Sequence, residues 1–407
     1  MLILRKGINS AMQFIQADVL FPVYKDPISN GILVVDSNGI ICDIIDPTTT
    51  HSLPDNVEKL NGFLCPGFVN THCHLELSHL KNQFDQKKGL IGFIDQMRLN
   101  RGGENILEAM KLADEEMEKS GIVAVGDISN NDSSIQIKNQ SKIYYHTFVE
   151  IFDVVKERSE KAMENGVEML NKFLSNNLVA TLAPHAPYTV TSELMSVLSK
   201  HYFEKKSIAT IHNQETSDED KMFQNKSGVV YDFLFSLNPA IQHRQTNFKS
   251  SLFYTLGHLK NFEKLLLVHN TFTNHEQIVE AENYSKNLYW CLCVNANLYI
   301  EDKLPDVDSL MKEKCKITVG TDSYASNHSL AILDELKTIS FHFPHISFHE
   351  ILKWATINGA EFLGKDKILG TFEKGKKPGI VLIENVGKND NSINKNSISK
   401  IIRTNKK

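Results

Sequence analysis

Along the middle of the chain, short and nearly continuous apolar or β-branched runs recur at residues 64–72, 121–127, 144–150, 179–185, 207–212, 264–269, 287–297 and 317–322. Runs of this kind, apolar throughout rather than alternating, predict parallel strands covered on both faces. Helical spacing fills most of the intervals. In 104–120, Ile106, Leu107, Met110, Ala113 and Met117 share one stripe, with acids and lysines opposite. Eight strands with helices between them predict a closed (β/α)8 TIM barrel. A doubly wound open sheet would want a glycine-rich phosphate loop after its first strand, and none is there.

The two ends follow a different period. Residues 31–36 and 39–43 are short β runs separated by turn residues. After a helical stretch at 348–363, such runs return at 368–370, 375–379 and 380–383. The ends are therefore expected to pair as one small β-domain, residues 1–58 plus 366–407, beside a barrel of residues 59–365. From 385 to 407 the chain is rich in Asn, Lys and Ser, which predicts a weakly ordered tail.

Composition narrows the class. The 407 residues are 41% apolar and 23% charged, ordinary for an enzyme with a large core. A net charge of -5 leaves no electrostatic footprint for nucleic acid. No apolar stretch approaches about 18 residues, so no membrane span is predicted. The start, Met1-Leu2-Ile3-Leu4-Arg5-Lys6, lacks the order of a signal peptide. Six cysteines without a CxxC do not form a disulfide framework. A cytoplasmic protein is expected.

Nearly every predicted strand ends in a residue able to bind a metal or move a proton: His72 and His74, Asp127, Glu150, His185, His212, His269, Asp322. In a barrel those ends share one face, where active sites sit. Alternate strand residues point to one face, so His72 and His74 can reach one ion while Cys73 points away. Three histidines and one carboxylate (His72, His74, His212, Asp322) suit one divalent ion, Zn²⁺ first and Fe²⁺ or Mn²⁺ as alternatives, with a position open for water. Such an ion lowers the pKa of its water towards neutrality. Asp322 is placed to take the water's proton. Glu215, three residues past His212, lies outside the ligand set, where it can carry protons to a leaving amine. His269 would orient the water and stabilise the developing oxyanion.

The segment from Pro66 to Glu76, PGFVNTHCHLE, resembles the amidohydrolase superfamily, and within it the cytosine/guanine/adenosine-type deaminase and chlorohydrolase branch. The resemblance continues through Ala183–Tyr188, through Ile211–Glu215 with Glu219, through Leu267–Asn270, and through Gly320–Ser323 with Ser326 and Asn327. It implies a barrel with a composite β-sandwich from the chain ends, and a hydrolase of non-peptide carbon–nitrogen bonds. It further implies deamination of an aminopurine or adenosine-like compound by a metal-bound hydroxide, and a homodimer. Two-metal members commonly carry a lysine at the end of strand four; Thr181–His185 has none, so a single metal is inferred. Two segments depart from the branch. Cys293-Val294-Asn295-Ala296-Asn297 stands where Cys-Pro-x-Ser-Asn is usual, and Lys377-Pro378-Gly379-Ile380 where Lys-x-Ala-Asp is usual.

Substrate contacts are expected from His185, Glu150 and Ser323, and from Arg98 and Arg101 in the long excursion 77–103, read as a lid. An arginine there could pair with a substrate carboxylate or phosphate. Asp127 more readily supports the barrel top, and His79 and Trp290 are expected to pack. The room left by the excursion favours an adenosine-like small molecule over a bare base. Two other readings keep the barrel: loss of a halide or imino group on the same metal platform, and a non-catalytic scaffold, against which retention of every ligand argues.

Overall fold

Eight parallel strands make the wall of a barrel, in two four-stranded halves. One half runs Val179–Pro184, Tyr144–Ile151, Ile122–Ser129, Phe68–Cys73; the other runs Ala209–Asn213, Leu265–His269, Leu288–Leu292, Ile317–Val319. The halves meet at both seams. At one, Cys73 bridges to Asp322, and the amides of Thr321 and Asp322 donate to the His72 carbonyl at 3.0 and 3.1 Å. At the other, the His212 amide donates to the His185 carbonyl at 3.0 Å. The computed structural model describes residues 12–50, 52–100, 102, 103, 105–387 and 392–404.

Side-chain alternation sorts the wall into two faces. Val69, Ala124, Phe148, Ala183, Leu266, Val268, Tyr289 and Cys291 form one buried cluster, which the interior of a barrel requires. Their neighbours Phe68, Val125, Val149, Leu182, Leu267 and Trp290 belong to the larger cluster between strands and helices. Among the described residues no helix is long and apolar enough to cross a membrane.

Beside the barrel stand two small sheets. One orders Ile41–Ile45, Ile32–Val35, Gln13–Gln16, Val57–Lys59; the other orders Ile398–Ile401, Ile380–Glu384, Phe63–Pro66, Val19–Leu20, Ile28–Ser29. Ile15, Leu33 and Val35 from the first pack with Leu20, Leu64 and Ile380 from the second, so the pair is a sandwich. Ile398–Ile401 pairs antiparallel with Ile380–Glu384, which corrects the expectation of a weakly ordered tail over those residues.

Three strand and helix limits differ from expectation. The run 64–72 is two strands, because Phe63–Pro66 pairs with Ile380–Glu384 in the sandwich and only Phe68–Cys73 enters the barrel. The chain changes sheet at Gly67, where a Cβ would lie 2.4 Å from Val123 Cγ1 and 2.6 Å from the Pro378 carbonyl. No side chain fits that crossing. The run 287–297 leaves the sheet after Leu292, and Val294–Glu301 is helical. The stretch 348–363 is two helices, Phe348–Trp354 and Ile357–Phe362.

Candidate metal centre

Seven of the eight strand-end residues gather at the C-terminal mouth of the barrel, and the backbone bends to bring several of them there. In the first barrel strand the register shifts between Asn70 and Cys73. Thr71 points inward, with its hydroxyl 2.8 Å from that of Thr318, yet His72 and His74 also face the mouth. An irregularity at a barrel rim re-aims side chains in this way. His269 follows inward-facing Val268 and by alternation would point out, but it sits at φ 74°. Asp322 is at φ 57°. Left-handed backbone at non-glycine residues costs about 1–3 kcal/mol each and gathers at functional sites.

The donors converge tightly. His72 Nε2 and His74 Nε2 are 3.2 Å apart and lie 3.3 and 3.4 Å from Asp322 Oδ1. The His212 ring centre is 5.0 Å from that of His72 and 5.6 Å from that of His74. His212 Nδ1 lies 2.7 Å from the His185 carbonyl, which can only accept. The Nδ1 therefore carries the proton, and Nε2 is left as a free donor atom. Asp322 Oδ2 accepts from the Ser326 hydroxyl, leaving Oδ1 for the centre.

The protonation states suit a cation. Burial, reinforced by the neighbouring histidines, pushes the His212 imidazole well below the usual histidine range. His74 is held down to about 3 by burial, against the opposing pull of Asp322. Burial would raise Asp322, but its hydrogen bond from His72 and the surrounding imidazoles outweigh that and hold it well below the ordinary carboxylate value. Histidine nitrogens and one carboxylate aimed at one point are the donor set of a divalent ion such as Zn²⁺, Fe²⁺ or Mn²⁺. The residues present fit the group.

Around this centre two further side chains are set for proton work. His269 Nδ1 lies 2.9 Å from Asn297 Oδ1, whose amide donates back to the His269 carbonyl at 3.3 Å. That fixes the proton on Nδ1 and turns Nε2 to Glu215 Oε1, 3.6 Å away. Asn297 is the last residue of the segment that departs from the family pattern, so the departure leaves the support of His269 in place. Asn297→Ala is expected to lower kcat about 10-fold, with metal content unchanged; steady-state kinetics beside metal analysis checks it. Glu215 is buried, and burial with the nearby Asp322 and Glu301 carboxylates pushes its own carboxyl well above the usual range. Glu219 holds the loop, its two oxygens accepting the amides of Gln214 and Glu215 at 3.1 and 2.8 Å.

A cavity of about 300 Å³ opens above the centre. Its floor includes His74, His212, His269, Asp322 and Glu215. His185, Glu150, Ser323 and Arg98 also line it. His185 Nδ1 is 2.7 Å from Thr189 Oγ1, and Glu150 accepts from Asn130 Nδ2 at 3.0 Å. Ser323 Oγ is 3.1 Å from Ser326 Oγ. The excursion places a helix, Gly89–Asn100, over the cavity, with Leu90, Phe93, Ile94 and Met97 facing in. The Arg98 guanidinium lies 5.6 Å from the Phe233 ring centre and 3.7 Å from Asp95. Arg101 lies outside the described residues.

Asp127 is the strand-end acid that does not join the site. It is on the outer face of the wall, 2.6 Å from Lys138 Nζ, with both side chains wholly buried. His79 packs against Gly103, but its two ring nitrogens are buried without a hydrogen-bond partner. Trp290 is buried and donates to Glu282 at 2.8 Å. Sequence reasoning also missed Glu76, Asn130 and Phe152 in the wall of the cavity. Glu76 stands within the quoted PGFVNTHCHLE segment and accepts from Asn130 N and Asn131 Nδ2 at 3.0 and 2.8 Å. Burial and nearby carboxylates raise it to about 7.

Convergent imidazoles, a carboxylate held low and a buried glutamic acid pushed high sit together at the C-terminal mouth of a closed barrel, an arrangement suited to hydrolysis with a divalent metal. The amidohydrolase family model matches residues 63–405. The chain belongs to the amidohydrolase family. It is 28% identical over 330 residues to an adenosine deaminase of Helicobacter pylori, covering 78% of each chain. It is 26% identical over 388 residues to a 5′-deoxyadenosine deaminase of Methanococcus vannielii, covering 88% of this chain and 84% of that one. Among solved structures, Helicobacter pylori aminofutalosine deaminase in complex with methylthio-coformycin superposes at a TM-score of 0.77, with 23% identity over 92% of this chain and 94% of that one. A zinc-bound atrazine chlorohydrolase of Arthrobacter aurescens superposes at 0.70, with 15% identity over 90% and 86%. At these structural identities the likeness is one of fold.

Proposed function

We propose that this chain hydrolytically deaminates an adenosine-like nucleoside carrying an apolar group at its 5′ end, releasing ammonia. The observation that carries the reading is the division of the cavity. Its floor is polar and proton-active, while its outer wall is apolar, with Phe93, Met97, Phe152, Phe233, Leu234 and Leu237. A bare base would leave that wall against water, and a charged 5′ extension would meet one cation, Arg98. The names of the relatives, adenosine and 5′-deoxyadenosine deaminases, agree with this class.

His72, His74, His212 and Asp322 would hold one divalent ion, which when bound supplies an acidified water and positive charge beside the reacting carbon. The protein's residues do the rest. Asp322, ionised at neutral pH, accepts a proton from the attacking water. Glu215, protonated at neutral pH, donates to the ring nitrogen next to the carbon under attack and then shuttles a proton to the departing amine. His269 presents Nε2 to orient the water, its ring locked by Asn297. One C–O bond forms and one C–N bond breaks; of the water's two protons, one goes to the leaving nitrogen, which departs as ammonia, and the other replaces the proton that Glu215 gave to the ring nitrogen. Glu150, His185, Ser323 and Glu76 are assigned to substrate contacts, and the helix Gly89–Asn100 to excluding bulk water.

The test is ammonia release from zinc-loaded protein across adenosine, 5′-deoxyadenosine, 5′-methylthioadenosine, S-adenosylhomocysteine, aminodeoxyfutalosine, adenine, guanine and cytosine. The 5′-apolar nucleosides are expected to exceed adenosine by about 10-fold or more in kcat/KM, the discrimination an apolar pocket gives per apolar group. Preference for a bare base would overturn the nucleoside reading. Release of chloride from 6-chloropurine riboside, without ammonia from any amine, would move the reaction to another leaving group.

A further inference from the structure

Behind the barrel wall, on the face away from the cavity, an ion pair sits wholly out of solvent. Lys138, on the helix Ile135–Gln140, places Nζ 2.6 Å from Asp127 Oδ2, 3.0 Å from Ser129 Oγ and 2.9 Å from Thr147 Oγ1. Its three donors are all used, and the ring centres of Phe173 and Tyr145 lie 4.9 and 5.6 Å away. Asp127 spends its other oxygen on one group, the backbone amide of Leu75, at 2.8 Å. Leu75 directly follows His74 and opens the short helical turn Leu75–Leu80, whose second residue, Glu76, faces the cavity. The first amides of a helical turn have no partner within the turn. Here one of them is held by a carboxylate anchored from behind.

Stability alone does not account for such a pair. Removing two charges from water is expensive, and apolar side chains of similar volume commonly serve as well or better. What apolar side chains lack is an acceptor for the Leu75 amide. We infer that Asp127 and Lys138 are positioning residues for the metal centre: the pair fixes the turn after His74, and so the direction of the His74 imidazole, before any ion arrives. This role presupposes the proposed ligation by His74, and failure of that ligation would show separately, as wild-type protein that takes up no zinc.

Two double variants separate positioning from packing. Asp127→Ala/Lys138→Met removes both charges and the acceptor. Asp127→Asn/Lys138→Met removes both charges and keeps an amide oxygen for Leu75. Zinc affinity is read by competition with a chromophoric chelator, and folding by thermal unfolding of the metal-free proteins. The first variant is expected to hold zinc about 10- to 100-fold more weakly, the range seen when a group that orients a ligand is lost. The second is expected to recover wild-type affinity. Equal, wild-type affinity in both would overturn the inference. Should the first variant fail to fold, amide exchange in the wild-type protein decides. The Leu75 amide is expected to be as protected without zinc as with it; protection that arises only on adding zinc would mean that the ion, not the pair, orders the turn.

Discussion

Glu215→Gln is expected to lower the rate of deamination on the order of 10³-fold while leaving the bound metal in place, the usual range for removing a positioned general acid–base. The reason is specific to its surroundings. Burial, with Asp322 and Glu301 nearby, raises the Glu215 carboxyl well above 4.5, which favours the protonated form that the substrate nitrogen needs. Gln keeps the shape and can donate a hydrogen bond, but it cannot surrender a proton to the leaving amine. Because the protonated form is the working form, wild-type activity is expected to fall as pH rises through this elevated pKa. The Gln variant should lose that limb of the profile along with its rate. Single-turnover kinetics across pH, beside metal analysis of both proteins, tests it; a variant with wild-type rate would remove Glu215 from the mechanism.

His212→Ala is expected to abolish tight metal binding. With zinc at 1,000 times its dissociation constant, the wild-type protein should gain about 4 kcal/mol of apparent stability, and the variant little. Denaturant unfolding with and without zinc measures the difference. Acid adds a second signature. His74 is held near 3 against 6.5 for a free imidazole, with burial the largest cause, and His212 is also lowered by burial and by its neighbouring histidines. A group depressed in the folded state takes up its proton more readily when unfolded. The stability it contributes is present above about 6.5 and lost as pH falls from there towards 3. Metal-free protein should therefore weaken across that window, and zinc should be released across it as protons compete for the imidazoles. An apo stability that stays flat from pH 7 to pH 4 would contradict these shifts.

Much of the site could be read before any fold was drawn. Eight short apolar runs, nearly all ending in His, Asp or Glu, with no glycine-rich loop after the first, support the barrel reading, because a closed parallel sheet gathers its C-terminal strand ends around one mouth. The His72–His74 spacing, Glu215 three residues past His212, and the PGFVNTHCHLE segment are local features that survive any detail of packing. Asp127 is expected from the sequence to support the barrel top; what the sequence could not show is that it lies on the opposite side of the pleat from Glu150 and faces a helix, paired with Lys138.

The chain itself determined the barrel, the sandwich at its ends and the donor set, since hydrophobic period and side-chain chemistry are written residue by residue. Tertiary structure alone decided three things. A register shift between Asn70 and Cys73 and left-handed backbone at His269 and Asp322 turn side chains inward against simple alternation. The apolar wall is assembled from Phe93, Phe152 and Phe233, which are far apart in the chain and carry no shared period. The burial that raises Glu215 and lowers His74 and His212 exists only once those segments close over the centre, because a pKa answers to dielectric and neighbouring charge rather than to residue type.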